Sequence, residues 1–316
     1  MKTAWVLGAR GLLGSAFCRA LSMAGTARFT PSESFQWTDE SALHLQIEAA
    51  VRGFSVSASR AARWEIYWAA GAGTMGSSEA ALVPETRALA LLLELIAADA
   101  VLMGMPGSLV FSSSAGAIYG ACPDEIITEA SLPAPNCAYA REKLSQEDLL
   151  RSFCAANPKM TVLLARISTL YGAGQATGKA QGLLTHIARS IVRNKPIGIY
   201  VPIDTIRDYI SVDDAALEIV ETLRDLNSAP GVLTKIIASE QPATISEIIS
   251  IFKRIARKSP RITTGVNKSS GLYSRRIRFS SVVPSRGRNR KIRSLAVGVA
   301  QLLEAERFTH ANPRSR

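Results

Sequence analysis

A glycine-rich turn directly after the first apolar run constrains the fold of this chain more than any other feature. The run Ala4-Trp5-Val6-Leu7 leads into Gly8-Ala9-Arg10-Gly11-Leu12-Leu13-Gly14, and an apolar, helix-like segment follows. Glycines at this spacing let the backbone turn tightly and approach a pyrophosphate, whose charge then sits at the positive end of the helix dipole. This order of strand, glycine turn and helix predicts a dinucleotide-binding unit, and the alternative is a plain glycine turn.

Strand-like and helix-like runs alternate through the middle of the chain. Residues 64–70 and 108–113 are strand-like, whereas residues 85–98 and the segment around Tyr139 are helix-like. Such alternation predicts a parallel sheet with helices on both faces. The length of 316 residues and the hydrophobic content of 47% are enough for one large domain or two coupled ones.

Tyr139 and Lys143 are four residues apart, so they lie on one face of the expected helix. A phenol titrates near pH ~10, and an ammonium one helical turn away favours the phenolate. The pair is therefore a candidate for proton transfer. The alternative is an exposed helical face that carries the two residues by chance.

Several motifs together resemble the extended short-chain dehydrogenase/reductase family, and more narrowly its nucleotide-sugar epimerase and reductase branch. They cover about residues 1–220 in the family's order and spacing: Gly8/Gly11/Gly14, Phe111-Ser112-Ser113-Ser114, Tyr119-Gly120, Tyr139/Lys143, Arg166 to Tyr171-Gly172, and Arg207-Asp208-Tyr209 with Asp213-Asp214. The resemblance implies an α/β fold, a Rossmann-type doubly wound parallel sheet with a smaller C-terminal substrate-binding lobe. We expect the NAD(P)-binding domain at 1–171 with a return segment at about 199–230, the lobe at 172–198 and 231–303, and a tail at 304–316.

The resemblance also implies catalytic roles. Tyr139 exchanges a proton with a sugar oxygen, and Lys143 binds the nicotinamide ribose while lowering the pKa of the tyrosine. A serine or threonine usually hydrogen-bonds the same oxygen. Counting back from Tyr139 selects Ser114, with Ser113 in reserve, but aligning on Tyr119-Gly120 places Ala115 there.

The sequence after the second strand, residues 27–30, favours NADP over the alternative NAD. No acidic residue occurs there until Glu33, and Arg10, helped by Arg28 or Ser32, would pair with a 2′-phosphate. The alternatives are that Arg10 points to solvent and that Glu33 reaches the ribose. The remaining expected cofactor contacts are Gly8, Gly11, Leu12, Leu13, Gly14, Ala69, Ala70, Gly71, Tyr139 and Lys143.

Three functions are left open by these residues. Dehydratases of this family carry an Asp-Glu pair where this chain has Ala115-Gly116, which argues against dehydration. We expect an NADPH-dependent ketoreduction of a nucleotide-linked sugar, with Ser114, Tyr139 and Arg207 on the substrate. The alternatives are an NAD-dependent nucleotide-sugar epimerase and a non-catalytic NADP-binding protein with a basic partner-binding segment. For Arg207, a salt bridge with Asp208 or Asp213 is the rival to phosphate binding.

Charge is unevenly distributed. Residues 1–247 contain 20 Lys and Arg against 24 Asp and Glu, whereas residues 248–303 contain 14 Lys and Arg and no acid. The basic runs 275–278 and 286–293 are either a solvated face or a site for substrate phosphates. Few aromatic residues are interleaved, so we expect no nucleic-acid partner.

Other features predict the redox state of the cysteines, the absence of a metal site, the location of the protein and its oligomeric state. No CxxC pair occurs among the four cysteines and only three histidines are present, so we expect reduced cysteines and no metal site. The first strand begins almost at Met1 and Glu94 interrupts the longest apolar helix, which predicts a cytoplasmic protein outside the membrane. The helices at 85–98 and 138–153 are candidates for pairing in a homodimer.

Overall fold

The computed structural model describes residues 2–175, 182–226, 229–265, 274–284 and 292–312. In chain order, the first half of the fold contains β1 Lys2–Leu7, α1 Leu12–Met23, β2 Ala27–Phe29, α2 Glu40–Ala58, β3 Arg63–Trp68, α3 Glu79–Ala98, α4 Ala100–Gly104, β4 Gly107–Ser114, α5 Ala115–Ile118, α6 Ala138–Ala156 and β5 Met160–Ile167. The second half contains β6 Thr169–Tyr171, α7 Leu183–Arg193, β7 Ile197–Ile199, β8 Ile206–Arg207, β9 Tyr209–Ser211, α8 Val212–Leu226, β10 Gly231–Ile237, β11 Ala243–Thr244, α9 Ile245–Ala256, β12 Ile262–Thr264 and α10 Leu295–Ala311.

Six strands within the described ranges form one parallel sheet in the order β10-β5-β4-β3-β1-β2. Helices cover both of its faces, and β5 is buried along its whole length. A parallel sheet that is covered on both sides needs apolar residues on both sides of each strand. This explains the nearly continuous apolar runs in the sequence and confirms the expected Rossmann-type α/β fold.

Each strand sends alternate side chains into two separate hydrophobic clusters. Trp5 and Leu7 of β1 pack with α2, α3 and α6 on one face. Ala4 and Val6 pack with α1 and α8 on the other. Because successive strand residues point to opposite faces, one short strand contributes to both cores.

A smaller C-terminal lobe is built around a third cluster from α7, α9 and α10, with Ile187, Phe252 and Leu302 among its buried residues. An ion pair between Arg189 Nε and Glu306 Oε1, at 3.0 Å, joins α7 to α10. Both side chains are almost fully buried. The lobe therefore has a core of its own beside the sheet.

Two expected boundaries are wrong. The segment 231–237, expected in the lobe, is β10, and it extends the main sheet by pairing with β5. Residues 304–311, expected as a tail, complete α10, which buries Val299, Leu302 and Leu303 against the lobe. Residues 313–316 of that expected tail lie outside the described part of the chain.

The sheet changes winding direction at β1, because β2 and β3 lie on opposite sides of that strand. In open α/β sheets the crevice at the carboxyl ends of the strands at such a point is the usual ligand site. The turn that begins at Gly8 and the loop that begins at Ala69 both leave the sheet there.

Among the described residues, none of the helices combines the length and the apolar character needed to span a bilayer. In the same ranges, His, Cys, Asp and Glu side chains form no group of three or more arranged to hold a metal ion.

Candidate active site

The glycine turn has space only for glycine at its two ends. Gly8 has φ +81°, and a Cβ on it would lie 2.6 Å from the Ala69 carbonyl oxygen. A Cβ on Gly14 would lie 2.0 Å from the Gly8 carbonyl oxygen, so α1 packs directly onto the turn. Among the described residues, no side chain caps the N-terminus of α1, whose first turn contains Leu12 and the buried Leu13. Free N–H groups at the end of a glycine turn fit a pyrophosphate.

The loop of residues 69–73 lies between this turn and Tyr139. At one end, Ala69 and Ala70 contact Gly8. At the other, a Cβ on Gly73 would lie 3.2 Å from Cδ2 of Tyr139. The tyrosine therefore borders the crevice that begins at the glycine turn.

Tyr139 lies in the first turn of α6 and hydrogen-bonds the hydroxyl of Ser114, the last residue of β4. Removal from solvent raises the pKa of the tyrosine, and the negative charge of Glu85 raises it further. The hydrogen bond with Ser114 lowers the pKa, because that contact stabilises the phenolate. The phenol of Tyr139 is therefore protonated at neutral pH.

Lys143 follows one helical turn later and is only 5% exposed. Its Nζ lies 5.8 Å from the centroid of the Tyr139 ring and 4.8 Å from that of Phe111, and it donates to Gln146 Oε1 at 2.9 Å. Burial lowers the pKa of the lysine. Three carboxylates oppose this effect, those of Glu85, Glu142 and Glu147.

Of the three candidates for the hydroxyl beside the tyrosine, the structure places Ser114 there. The hydroxyl of Ser113, the reserve candidate, is engaged elsewhere. Its Oγ donates to Glu147 Oε1 at 2.7 Å within a buried network. Ala115 is fully buried at the start of α5. Ser114, the residue selected by counting back from Tyr139, stays the predicted catalytic hydroxyl.

The residues expected around the adenosine end of the cofactor are exposed. Arg10 lies in the glycine turn, and Ser32 follows β2, which ends at Phe29. Glu33 is exposed next to Ser32. The same segment contains Trp37, which packs edge-on against Trp68 at the end of β3, with ring centroids 6.3 Å apart.

Arg207 lies on β8, where its Nη1 donates to the backbone oxygen of Ile206 at 2.7 Å. The neighbouring Asp208 is buried and accepts hydrogen bonds from the side chains of Ser168, at 2.6 Å, and Ser239, at 2.8 Å. Asp213 pairs with Arg19 at 2.5 Å. These two aspartates therefore have structural partners of their own.

The basic runs lie only partly within the described residues. In the first run, Arg275 forms an exposed ion pair with Asp204, and Arg278 lies 3.9 Å from Glu125. Residues 285–291, most of the second run, lie outside the described ranges, as does Tyr273. At the end of that run, Arg293 lies 3.8 Å from Asp214.

Sequence reasoning missed Glu85, which lies on α3. Its Oε1 accepts hydrogen bonds from the backbone N–H groups of Ala72 and Gly73, both at 2.6 Å. No periodicity or local motif indicates this role, because the loop precedes Glu85 itself by a dozen residues. Only the fold brings this carboxylate to the loop and to Tyr139.

Comparison with known proteins adds to this geometry. The sequence model of the NAD dependent epimerase/dehydratase family matches residues 4–233. A dTDP-L-rhamnose 4-epimerase of Burkholderia thailandensis is 35% identical over 92 residues, which are 29% of this chain and 25% of that protein. A dTDP-4-dehydro-6-deoxyglucose reductase of Escherichia coli is 33% identical over 106 residues, which are 34% of this chain and 33% of that protein. This chain thus matches a third or less of the length of either relative.

The fold is similar over nearly the whole chain to a solved structure of RMD from Pseudomonas aeruginosa complexed with NADPH. The TM-score is 0.75 at 20% identity, and the match covers 98% of this chain and 99% of that one. At this identity the likeness shows a shared fold. Because the family's sequence model spans well over half of the 316 residues, this chain belongs to the NAD dependent epimerase/dehydratase family.

Proposed function

We propose that this protein is an NADPH-dependent reductase of a nucleotide-linked keto-sugar. The observation that carries the proposal is the cluster of Ser114, Tyr139 and Lys143 at the border of the crevice that begins at Gly8. An acid, a hydrogen-bonding hydroxyl and a cation beside a dinucleotide site are the parts that carbonyl reduction needs.

In the proposed reaction, a bound nicotinamide dinucleotide supplies the hydride. Tyr139 donates its phenolic proton to the sugar oxygen, and Ser114 hydrogen-bonds the same oxygen. The ammonium of Lys143 stabilises the phenolate that is left behind. The turn at Gly8, Gly11 and Gly14, with the uncapped N-terminus of α1, would hold the pyrophosphate of the dinucleotide.

Net reduction is proposed because Arg10 favours NADPH and because the protonated phenol of Tyr139 is suited to donate a proton. Burial and Glu85 raise the pKa of this tyrosine, so its neutral form predominates, and the neutral form is the proton donor. An epimerase must also withdraw a proton in the oxidative half of its cycle, which requires the phenolate. Arg10, exposed in the turn, supports NADPH because a guanidinium is well suited to pair with a 2′-phosphate.

The second candidate is a nucleotide-sugar epimerase with bound NAD, which the similarity to dTDP-L-rhamnose 4-epimerase favours. The two candidates differ in their use of cofactor. A reductase consumes one NADPH for each sugar converted, whereas an epimerase returns the hydride and shows no net consumption.

The test is to incubate the purified full chain with NADPH and a panel of UDP- and dTDP-linked 4-keto-sugars, and to follow NADPH absorbance and sugar products together. Stoichiometric loss of NADPH with a reduced sugar supports the proposal. Interconversion of nucleotide-sugars without NADPH loss supports the epimerase. The variant Tyr200→Phe, which removes an exposed phenol outside the cluster, is the control for Tyr139→Phe.

Two further proposals concern partners. The outer surfaces of α3 and α6, which pack side by side on the sheet, are proposed to form a homodimer, and light scattering on the full chain tests this. If the protein were instead a non-catalytic holder of nucleic acid through its basic segment, RNA binding would be measurable at low salt and fall steeply as salt rises.

A further inference from the structure

We propose that Glu85 is a positioning residue for the Tyr139–Lys143 pair, which fixes the loop 71–73 beside the tyrosine and supplies a negative charge to the buried end of the crevice. The inference deepens the proposed function and rests on it, because it assigns Glu85 the task of keeping Tyr139 as an acid. Nothing in the sequence motifs assigns a role to this carboxylate.

The carboxylate anchors the loop through two backbone contacts. Its Oε1 accepts from the N–H groups of Ala72 and Gly73, both at 2.6 Å. A Cβ on Gly71, which has φ +149°, would lie 3.1 Å from Oε2. Charge-assisted hydrogen bonds are roughly twice as strong as neutral ones. The Glu85 carboxylate therefore satisfies two backbone N–H groups of the loop that follows β3.

The anchored loop touches the tyrosine. A Cβ on Gly73 would lie 2.5 Å from Leu82 Cδ2, 3.2 Å from Tyr139 Cδ2 and 3.3 Å from Glu85 Oε1, so this glycine packs closely against all three side chains. A displacement of the loop would thus change the packing against the tyrosine ring.

The next residue of α3 reaches the lysine by a separate route. Thr86 Oγ1 accepts from Gln146 Nε2 at 2.8 Å and donates to Glu142, and Gln146 Oε1 accepts from Lys143 Nζ at 2.9 Å. Consecutive residues of one helix therefore hold both functional side chains of α6. Glu85 anchors the loop beside the tyrosine, and Thr86 holds the glutamine that accepts a hydrogen bond from the lysine.

The charge of Glu85 acts on both members of the pair. It raises the pKa of Tyr139, second only to burial, and it is the largest of the effects that oppose the lowering of the Lys143 pKa by burial. The other groups that act on the pair are Glu142 and Glu147 for the lysine, and Ser114 at the end of β4 and Cys137 for the tyrosine. Among the exposed charges of these helices, Arg141 of α6 pairs with Glu79 of α3, and Arg87 of α3 pairs with Glu40 of α2.

The consequence is a neutral phenol beside an ammonium, which is the pair that donates a proton. Replacing Glu85 by glutamine keeps the shape and an acceptor oxygen for the loop but removes the charge. Without that charge the pKa values of both Tyr139 and Lys143 fall, because the carboxylate raises both of them.

The experiment compares Glu85→Gln with Glu79→Gln. The control removes a carboxylate from the first turn of the same helix, where Glu79 pairs with Arg141 at 2.8 Å in solvent. The first measurement is the midpoint of the Lys143 side-chain titration by NMR of the full chain labelled at lysine Cε, with the signal assigned by Lys143→Met. This midpoint moves to lower pH in Glu85→Gln and is unchanged in Glu79→Gln if the inference holds.

The second measurement is the pH profile of NADPH oxidation with the best substrate of the panel. Reduction needs the protonated phenol, so it is lost as pH rises through the pKa of Tyr139, and Glu85→Gln shifts this loss to lower pH. A lysine midpoint that stays in place in Glu85→Gln would overturn the inference. If the wild-type chain oxidises no NADPH with any keto-sugar, the proposed function fails, whereas the lysine titration still decides the role of Glu85. Glu85→Asp provides the same comparison with the charge kept, and it retains the wild-type midpoint if charge is the cause.

Discussion

Arg166 of β5 donates two parallel hydrogen bonds to Glu147 of α6. Nε donates to Oε1 at 3.0 Å and Nη2 to Oε2 at 2.7 Å, and both side chains are buried. The remaining Nη1 donates to Tyr119 Oη at 2.6 Å. The pair joins β5 to α6, the helix that carries Tyr139 and Lys143. It therefore fixes this helix against the sheet.

Removing the guanidinium should destabilise the fold strongly. The change Arg166→Met removes both parallel hydrogen bonds from the buried Glu147 and leaves it the longer ion pair with Arg151, at 3.8 Å. This change costs about 3–5 kcal/mol of unfolding free energy. Urea denaturation followed by circular dichroism measures the loss. The control is Arg87→Met, whose exposed pair with Glu40 at 3.2 Å should contribute about 1 kcal/mol or less. Equal losses in the two variants would contradict the structural role of the buried pair.

The two serines at the end of β4 should separate function from stability. The hydroxyl of Ser114 contacts Tyr139, and Ser114→Ala should lower kcat by roughly 10- to 100-fold, since hydrogen bonds to charged groups contribute about 1.5–3 kcal/mol. Ser113 instead donates to the buried Glu147, so Ser113→Ala should lower the unfolding free energy by about 1–3 kcal/mol.

Both variants are assayed for kcat and for urea unfolding, which makes each the control of the other. If Ser113→Ala loses turnover while its folded fraction is unchanged, and Ser114→Ala does not, the register chosen at the end of β4 is incorrect.

Cofactor preference should depend on Arg10. If its guanidinium pairs with the 2′-phosphate, Arg10→Ala weakens NADPH binding by roughly 10- to 100-fold and leaves NADH binding nearly unchanged. Fluorescence titration with each dinucleotide gives the two dissociation constants. Equal losses of affinity for both dinucleotides, or no loss for either, would show that Arg10 does not bind the 2′-phosphate.

The sequence was a good guide wherever local chemistry decides the structure. The glycine turn, its flanking strand and helix, and the alternating apolar runs are local patterns, and each lies where it was expected. Tyr139 and Lys143 also share a helical face as their spacing requires. Even the helix expected at 85–98 differs only at its start, because α3 begins at Glu79 and includes Pro84 near its N-terminus.

The sequence was a poor guide where tertiary contacts decide. The strand β10 pairs with β5 in the main sheet although it contains Lys235, a residue type that suggests exposure. The side chain of Lys235 is buried, and its Nζ forms an ion pair with Glu218 at 2.7 Å. The end of the chain is charged, but Glu306 is buried on Arg189, which makes it part of a packed helix. Glu85 meets its loop only through the fold. In all three cases a charged side chain finds a partner distant in sequence.

The central claim is that Tyr139 is the proton donor of a hydride-transfer site, and Tyr139→Phe tests it most directly because it removes only the phenolic oxygen. NADPH binding is measured by fluorescence and single-turnover oxidation of NADPH by a nucleotide-linked keto-sugar is measured by absorbance in the same variant. The account predicts a nearly unchanged dissociation constant and a single-turnover rate reduced by about 10²- to 10⁴-fold. A rate close to that of the wild type, with cofactor bound, would contradict it.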